Sequence, residues 1–483
     1  MKTRKCSRSK SRKAAYATAV CASMAMAFTL TGPSLSNGNL NQAKAAGLGE
    51  GGRARINASE KLMILSQKMA ASACSIDLGY NVESEREMLR NAHGNFRRTL
   101  DALELGDARL GISTPETYSK AKIALGKVRA LWGPISTAVD GMQQDNPTDQ
   151  DAKVIAQTNE QLLKETEVLA SIILNEYANP FDLVLADALS INIAERQEVC
   201  SQKLKREACE IGSGQADEAI KADFVQTIDL FEISLNALRE GFPVAGVRPP
   251  PNDEIRYQLD QAWTEWQDAQ TVITAIMDKS NLTEDEMKHI SQLAKTLDDR
   301  MHTVVVQYLL TAPGASDLLE IPLTAYAETA LMEWTTNPEI VSALRQRNKN
   351  AAAPDADTLE QLQAQWVAET AQSHGPLVEK VSTHPASALL KTKKLQASDK
   401  ITEIVLIDNH GLVLAESELT PDYVHIGAPR WETLQSKNIY ISDVHLEEGG
   451  HVYQAEVALP VYDPDSGDRL GVMSFGINVQ YMF

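Results

Sequence analysis

Glu60, Gln67 and Cys74 stand seven residues apart, and Glu195, Gln202 and Cys209 repeat that spacing. At ~100° per residue, Asn57, Glu60, Gln67 and Cys74 fall within roughly a third of a helix circumference. A heptad stripe of carboxyl, amide and thiol groups can hydrogen-bond a facing helix or a bound solute. It can equally form a solvated edge with partners four residues away. An unpaired buried polar group costs ~1–3 kcal/mol, so a stripe turned inward needs partners. Ser66 and Ser201, with Asn192, complete this candidate seam.

Chemistry of other kinds is hard to place. The nine histidines are scattered without a His-Glu-x-x-His pattern. His445 and His451 flank "LEEGG", which reads as a hairpin loop in preference to a metal site. Gly-x-Ser-x-Gly and Walker loops are absent from the sequence, and so are Cys-x-x-Cys and zinc spacings. No enzymatic activity, metal or cofactor is expected.

The stripe occurs twice because a longer unit does. "INASEKLMILSQKMAASAC" (56–74) and "INIAERQEVCSQKLKREAC" (191–209) share eight of nineteen residues at an offset of 135. The same offset pairs Phe96, Leu100, Ala102, Leu103 and Gly106 with Phe231, Leu235, Ala237, Leu238 and Gly241. It also pairs Pro115 with Pro250 and Thr148 with Thr283. Trp132 and Trp266 depart from it by one residue, which points to a slip within one helix. Each copy reads as four helices: 52–80, 84–105 ending at Gly106, Pro115 towards Gly141, and one starting at Thr148. Thr283 and Glu286 form a capping box. Short loops predict an antiparallel four-helix bundle for each copy, 50–180 and 185–315. "YANPF" (177–181) joins the copies and "APGASD" (312–317) ends the second.

Residues 2–13 hold seven Lys or Arg and no acid, Ala14–Leu30 is apolar, and Ala43-Lys44-Ala45 offers a small-x-small site. This is the layout of a secretory signal peptide spanning 1–45, with an uncleaved anchor helix as the alternative. Removing those residues leaves 38 basic against 65 acidic residues. So acidic a chain repels nucleic acid and anionic lipid. Export exposes Cys74, Cys200 and Cys209 to an oxidising compartment. Cys200 and Cys209 lie on opposite sides of one helix. Cys74 and Cys209, at equivalent positions, can bridge if the two first helices pack across a pseudo-twofold axis; otherwise all three pack as small hydrophobes.

After residue 317 the character changes. Residues 318–348 look helical, a second helix starts at a Thr358-x-x-Gln361 box, and a shorter segment runs to Leu390. Strands follow at 401–407, 411–417, 439–444, 451–462 and 469–479, with "DNH" and "DPDSGD" as turns. The fold class is therefore mostly α with a C-terminal α+β domain built on a five-stranded antiparallel sheet.

"RINASEKLMILSQKMA" (55–70) resembles the N-terminal domain of type IV pili methyl-accepting chemotaxis transducers, the PilJ type. Asn57, Leu65, Ser66, Gln67 and Met69 match its first helix, while Lys61 and Lys68 replace arginines. The second copy keeps Asn192, Arg196, Ser201, Gln202 and Lys203. Related helical modules hold nitrate through an arginine in this helix. Met63 and Glu198 occupy the matching positions here, so the resemblance implies the fold and not anion binding at the seam. "EIVLIDNHGLVLAES", "TPDYVHIGAPRWE", "ISDV", "ALPVYD" and "LGVMSFGIN" resemble a Cache domain, a PAS-like sensor module, over 318–483. That resemblance implies a small solute held under the loop 416–431. Tyr423, Arg430 and Trp431 would line its pocket, with Asp443 and Tyr453 on its floor. Arg430 could pair with a carboxylate, and Tyr423 with Trp431 could wall the apolar part or simply close the core. Arg430 is followed directly by Trp431 and Glu432, which does not fit the amino-acid-binding pattern.

Together the resemblances imply an exported sensory protein in the periplasm or secreted. It would bind a small solute and signal through a membrane-bound partner, with no output domain of its own after Phe483. A ligand-free envelope scaffold or adhesion protein is the competing expectation, and a membrane-tethered receptor fragment a third. A homodimer is among the assemblies left open.

Overall fold

In the computed structural model of the chain, the described residues are 51–482 apart from 145–148, 178–184, 215, 278, 280, 312–314, 351–352, 398–399 and 447–451. The expected leader, the Thr148 helix start, most of "YANPF", half of "APGASD" and the loop carrying His451 lie outside them. The chain forms two compact units that divide between Ala315 and Ser316.

The first unit is helical. Its first quartet is α1 (Gly52–Asp77), α2 (Val82–Leu105), α3 (Ser119–Met142) and α4 (Asp149–Tyr177). The second is α5 (Leu185–Gly212), α6 (Glu218–Glu240), α7 (Asp253–Ile276) and α8 (Glu284–Thr311). In each quartet the first helix packs on the second and fourth, and the third packs on the same two. Each quartet encloses its own apolar core. Phe96 stacks on Trp132 with ring centroids 4.5 Å apart, and Phe231 meets Trp266 at 4.4 Å.

Those tryptophans place the register slip in the loops and not in a helix. α3 and α7 each have 24 residues. The loops before them are anchored identically: a Cβ on Gly106 (φ 86°) would lie 2.9 Å from Thr114, and one on Gly241 (φ 78°) 2.9 Å from Pro249. One residue is therefore lost between Pro250 and Asp253 and regained before Thr283. The Thr283–Glu286 box forms, with Thr283 N–H donating to Glu286 at 3.0 Å and Glu286 N–H to Thr283 Oγ1 at 3.3 Å.

α3 starts at Ser119, not at Pro115. Glu116 captures the N–H groups of Thr117 (2.8 Å) and Tyr118 (2.7 Å) and the Tyr177 hydroxyl (2.7 Å), which keeps this stretch out of the helix. Arg55, 2% exposed, donates to the Leu103 carbonyl (3.4 Å) and pairs with Glu116 (3.5 Å).

The second unit opens with α9 (Ala315–Tyr326), which runs through a π-helical turn (Ala327–Leu331) into α10 (Met332–Thr335). The helix expected over 318–348 breaks at Thr336–Asn337, where Asn337 accepts from Glu339 N–H (2.9 Å) and Pro338 starts α11 (Pro338–Asn350). α12 (Ala356–Thr370) is capped by Asp355, which accepts from Thr358 N–H at 2.9 Å. Thr358 is thus inside the helix and not its cap. α13 (Pro376–Ser382) and α14 (Pro385–Gln396) each begin with proline.

The sheet that follows has β1 (Ile401–Asp408), β2 (Val413–Glu416), β3 (Tyr440–Ile441), β4 (His445–Leu446), β5 (Tyr453–Tyr462) and β6 (Arg469–Asn478), with α15 (Pro429–Thr433) before β3. All pairings are antiparallel, in the order β2-β1-β6-β5-β3. The strand expected over 439–444 is interrupted. β3 and β4 pair with successive parts of one edge of β5, so five strand positions contain six pieces. Between them Ser442 exchanges hydrogen bonds with Glu456: its N–H donates to the carbonyl (2.9 Å) and its Oγ accepts from the N–H (2.8 Å).

Candidate functional site

The polar stripes face each other. α1 packs on α5, which makes the seam an internal interface between the quartets and not a solvated edge. Glu60 is 4% exposed, Gln67 0% and Glu195 5%; Ser66, Ser201 and Gln202 are buried as well, while Asn57 and Asn192 are half-buried. Asn192 Nδ2 donates to Glu60 Oε1 (3.4 Å) and Arg206 Nε to Gln67 Oε1 (3.2 Å). Gln67 Nε2 donates onward to Asn159 (3.3 Å). Ser66 and Ser201 bond back to the carbonyls of Met63 (2.7 Å) and Glu198 (2.8 Å). At the far end Cys74 and Cys209 are joined in a disulfide, and Cys200 is a buried free thiol.

Burial disfavours the charged form of three carboxyls in the seam. Burial, opposed by the Arg196 charge and the Asn192 bond, pushes Glu60 up to about 7. Burial and the neighbouring Glu60 charge raise Glu195 well above the carboxylate range. Glu198 is raised by burial and by Asp298. Met63 joins Ile64, Ala170 and Val199 in a small apolar cluster. The arginine-bearing position of the related modules is therefore filled by an apolar side chain in one copy and an acid in the other.

Charged contacts across the seam are one-sided. Lys205 on α5 binds both oxygens of Glu85 on α2 (2.6 and 2.8 Å), with both side chains buried. The equivalent pair in the other direction is Ala70 and Ile220. Lys68 on α1 pairs with Asp298 on α8 at 2.6 Å, while its counterparts are Lys203 and Leu163.

In the second unit, Tyr423 and Trp431 share one apolar core with Trp366 and Leu434. The Tyr423 ring lies 5.3 Å from that of Trp366, whose Nε1 donates to the Thr420 carbonyl (2.8 Å). Arg430 reaches Glu456 Oε1 at 2.6 Å and His425 Nδ1 at 2.9 Å. Burial and Arg430 press His425 down to about 3, so it is a neutral acceptor. The carboxylate expected for Arg430 is thus supplied by the chain itself. Arg469 covers the Trp431 ring at 4.7 Å. Asp443 is exposed between β3 and β4, and Tyr453 is half-buried opposite Leu446. The structure brings Tyr423 and Trp431 into one core, turns Arg430 to His425 and Glu456, and leaves Asp443 exposed and Tyr453 at the start of β5.

Sequence reading missed Glu456, which requires strand register, and Arg347, which binds the buried Asp408 at 2.8 Å from α11. The charge cluster "RQRN" was the only signal for Arg347. Among the described residues, no group of three or more His, Cys, Asp or Glu could hold a metal. No described helix is long and apolar enough to cross a membrane.

The profile of the type IV pili methyl-accepting chemotaxis transducer N-terminal domain matches twice, at residues 49–157 and 184–293. Each match begins just before the first helix of a quartet and ends inside the fourth. The two segments make up a little under half of the chain. No curated protein matches the chain.

Proposed function

We propose that this is an exported sensory protein. In this reading the C-terminal unit is Cache-like and takes a small solute. The two quartets are antiparallel PilJ-type bundles that pass the solute-bound state to a membrane-bound signalling partner of the chemotaxis or two-component kind. The observation that carries the reading is the tandem match to a chemotaxis-transducer domain, with both matched first helices laid against one another. A protein that works outside the cytoplasm also suits the disulfide between Cys74 and Cys209. No catalytic role is assigned.

The scaffold reading draws on a different observation. Arg430 is already paired with Glu456, and Tyr423 and Trp431 sit in the core, so the wall under the 416–431 loop is filled from within.

Two measurements test the proposal. A thermal-shift screen of the full chain against carboxylates, amines and purines should give a saturable rise in melting temperature for at least one class; a uniformly negative screen favours the scaffold. Mass measurement of the exported protein should show loss of the first 45 or so residues. A full-length mass would replace the exported form with a tethered receptor fragment.

A further inference from the structure

In an acid-rich chain, three basic side chains gather on one cleft of the second unit. α11 contributes one face, through Pro338, Ser342 and Arg347; the last turn of α13 contributes Lys380 and the cap of α14 His384. The cleft has a volume of about 720 Å³, and Glu339 is the acid on its rim.

Arg347 and His384 are held by bonds within the unit. Arg347 is fixed by its bond to Asp408, which is itself fully buried and accepts from His410 N–H (2.8 Å) and Leu412 N–H (3.1 Å). His384 caps α14: its Nδ1 accepts from Ala386 N–H at 3.1 Å. In the neutral ring this leaves Nε2 carrying the proton, as a donor. Lys380 has no acid within ion-pair distance among the described residues. α11 and α14 both begin at this cleft, and helix N-termini favour negative charge.

These groups disfavour one another. Burial and the Arg347 charge lower both Lys380 and His384. Asp408 balances the Arg347 charge and also acts on Lys380, so the positive charge left over at the cleft is that of Lys380, which a bound anion would balance. Resting on the reading that this unit takes a solute, we propose that the cleft lined by Arg347, Lys380 and His384 is its site, and that the solute carries an oxyanion, a carboxylate or phosphate. Beyond the Arg347–Asp408 pair, Lys380, a neutral imidazole donor and two helix ends face Glu339. Arg347 and Tyr423 lie close enough to influence one another's titration, so occupancy would be felt in the core beneath the 416–431 loop.

The full chain is titrated calorimetrically with citrate, succinate and inorganic phosphate, at ionic strength matched with chloride. The expected result is saturable binding of at least one probe, weakened tenfold or more by Lys380→Glu. Citrate or succinate alone marks a carboxylate site, and phosphate alone a phosphate site. His384→Asn keeps a cap acceptor for Ala386 and should weaken binding less. No saturable binding of any probe, or unchanged affinity in Lys380→Glu, overturns the proposal. A thermal-shift hit from an amine or purine with Lys380→Glu unaffected would keep the sensory reading and remove this site. Anion binding by a chain that is not exported would do the reverse.

Discussion

Glu60 sits where a charge is costly: buried, with Oε2 lacking a hydrogen-bond partner and Oε1 bonded to Asn192. Its pKa lies near 7 in the folded chain against an ordinary 4.5. Between those values the folded state holds a proton that the unfolded state has lost. Stability must then fall as pH rises from about 4.5 to about 7. Glu60→Gln should flatten that fall and stabilise the first unit at pH 8 by on the order of 1–2 kcal/mol, with little effect at pH 4. Parallel urea-denaturation profiles for the two proteins at pH 4, 6 and 8 would contradict it. The Lys205–Glu85 pair behaves differently, because each charge neutralises the other out of water. Lys205→Met leaves Glu85 alone and should cost about 3–5 kcal/mol, while adding Glu85→Leu should restore most of the loss. Denaturation midpoints of the single and double variants decide this; a double variant as weak as the single one would show that the ion pairing is not what Lys205 contributes.

Between elements, the disulfide is the one covalent tie from α1 to α5, and it closes a loop of 135 residues. Replacing Cys74 by Ala should lower the unfolding free energy of the first unit by about 2–4 kcal/mol. Reductant should reproduce that loss in the parent protein and leave the variant unchanged. The helices themselves were legible because apolar periodicity and glycine stops are local, as at Gly106 and Gly241. So was the common face of Glu60, Gln67 and Cys74, since helical spacing alone decides it. What that face meets was not legible, because it depends on a contact 135 residues away. Three boundaries were missed for a shared reason: side chains of Glu116, Asn337 and Asp355 capture backbone N–H groups, and periodicity carries no trace of such bonds. Arg430 was a candidate ligand group because its partner, Glu456, becomes a neighbour only through the pairing of the strands. Arg347 lies more than thirty residues from Lys380 and His384, and no common motif links them.

At the scale of the molecule, the two units have separate cores, and heating should unfold them in separate transitions. Calorimetry should show reductant lowering only the transition that Cys74→Ala also lowers, and a bound carboxylate or phosphate raising only the other. A single transition shifted by both would mean that the units melt together. The one-sided bridges Lys205–Glu85 and Lys68–Asp298 carry a consequence for how the halves can differ. Two identical chains meeting about a true axis must make every contact twice, and a lysine acquired for one side is imposed on the other. Written into one polypeptide, the halves escape that rule. Each is free to specialise, and a chain rebuilt from two copies of the first quartet would lack both bridges.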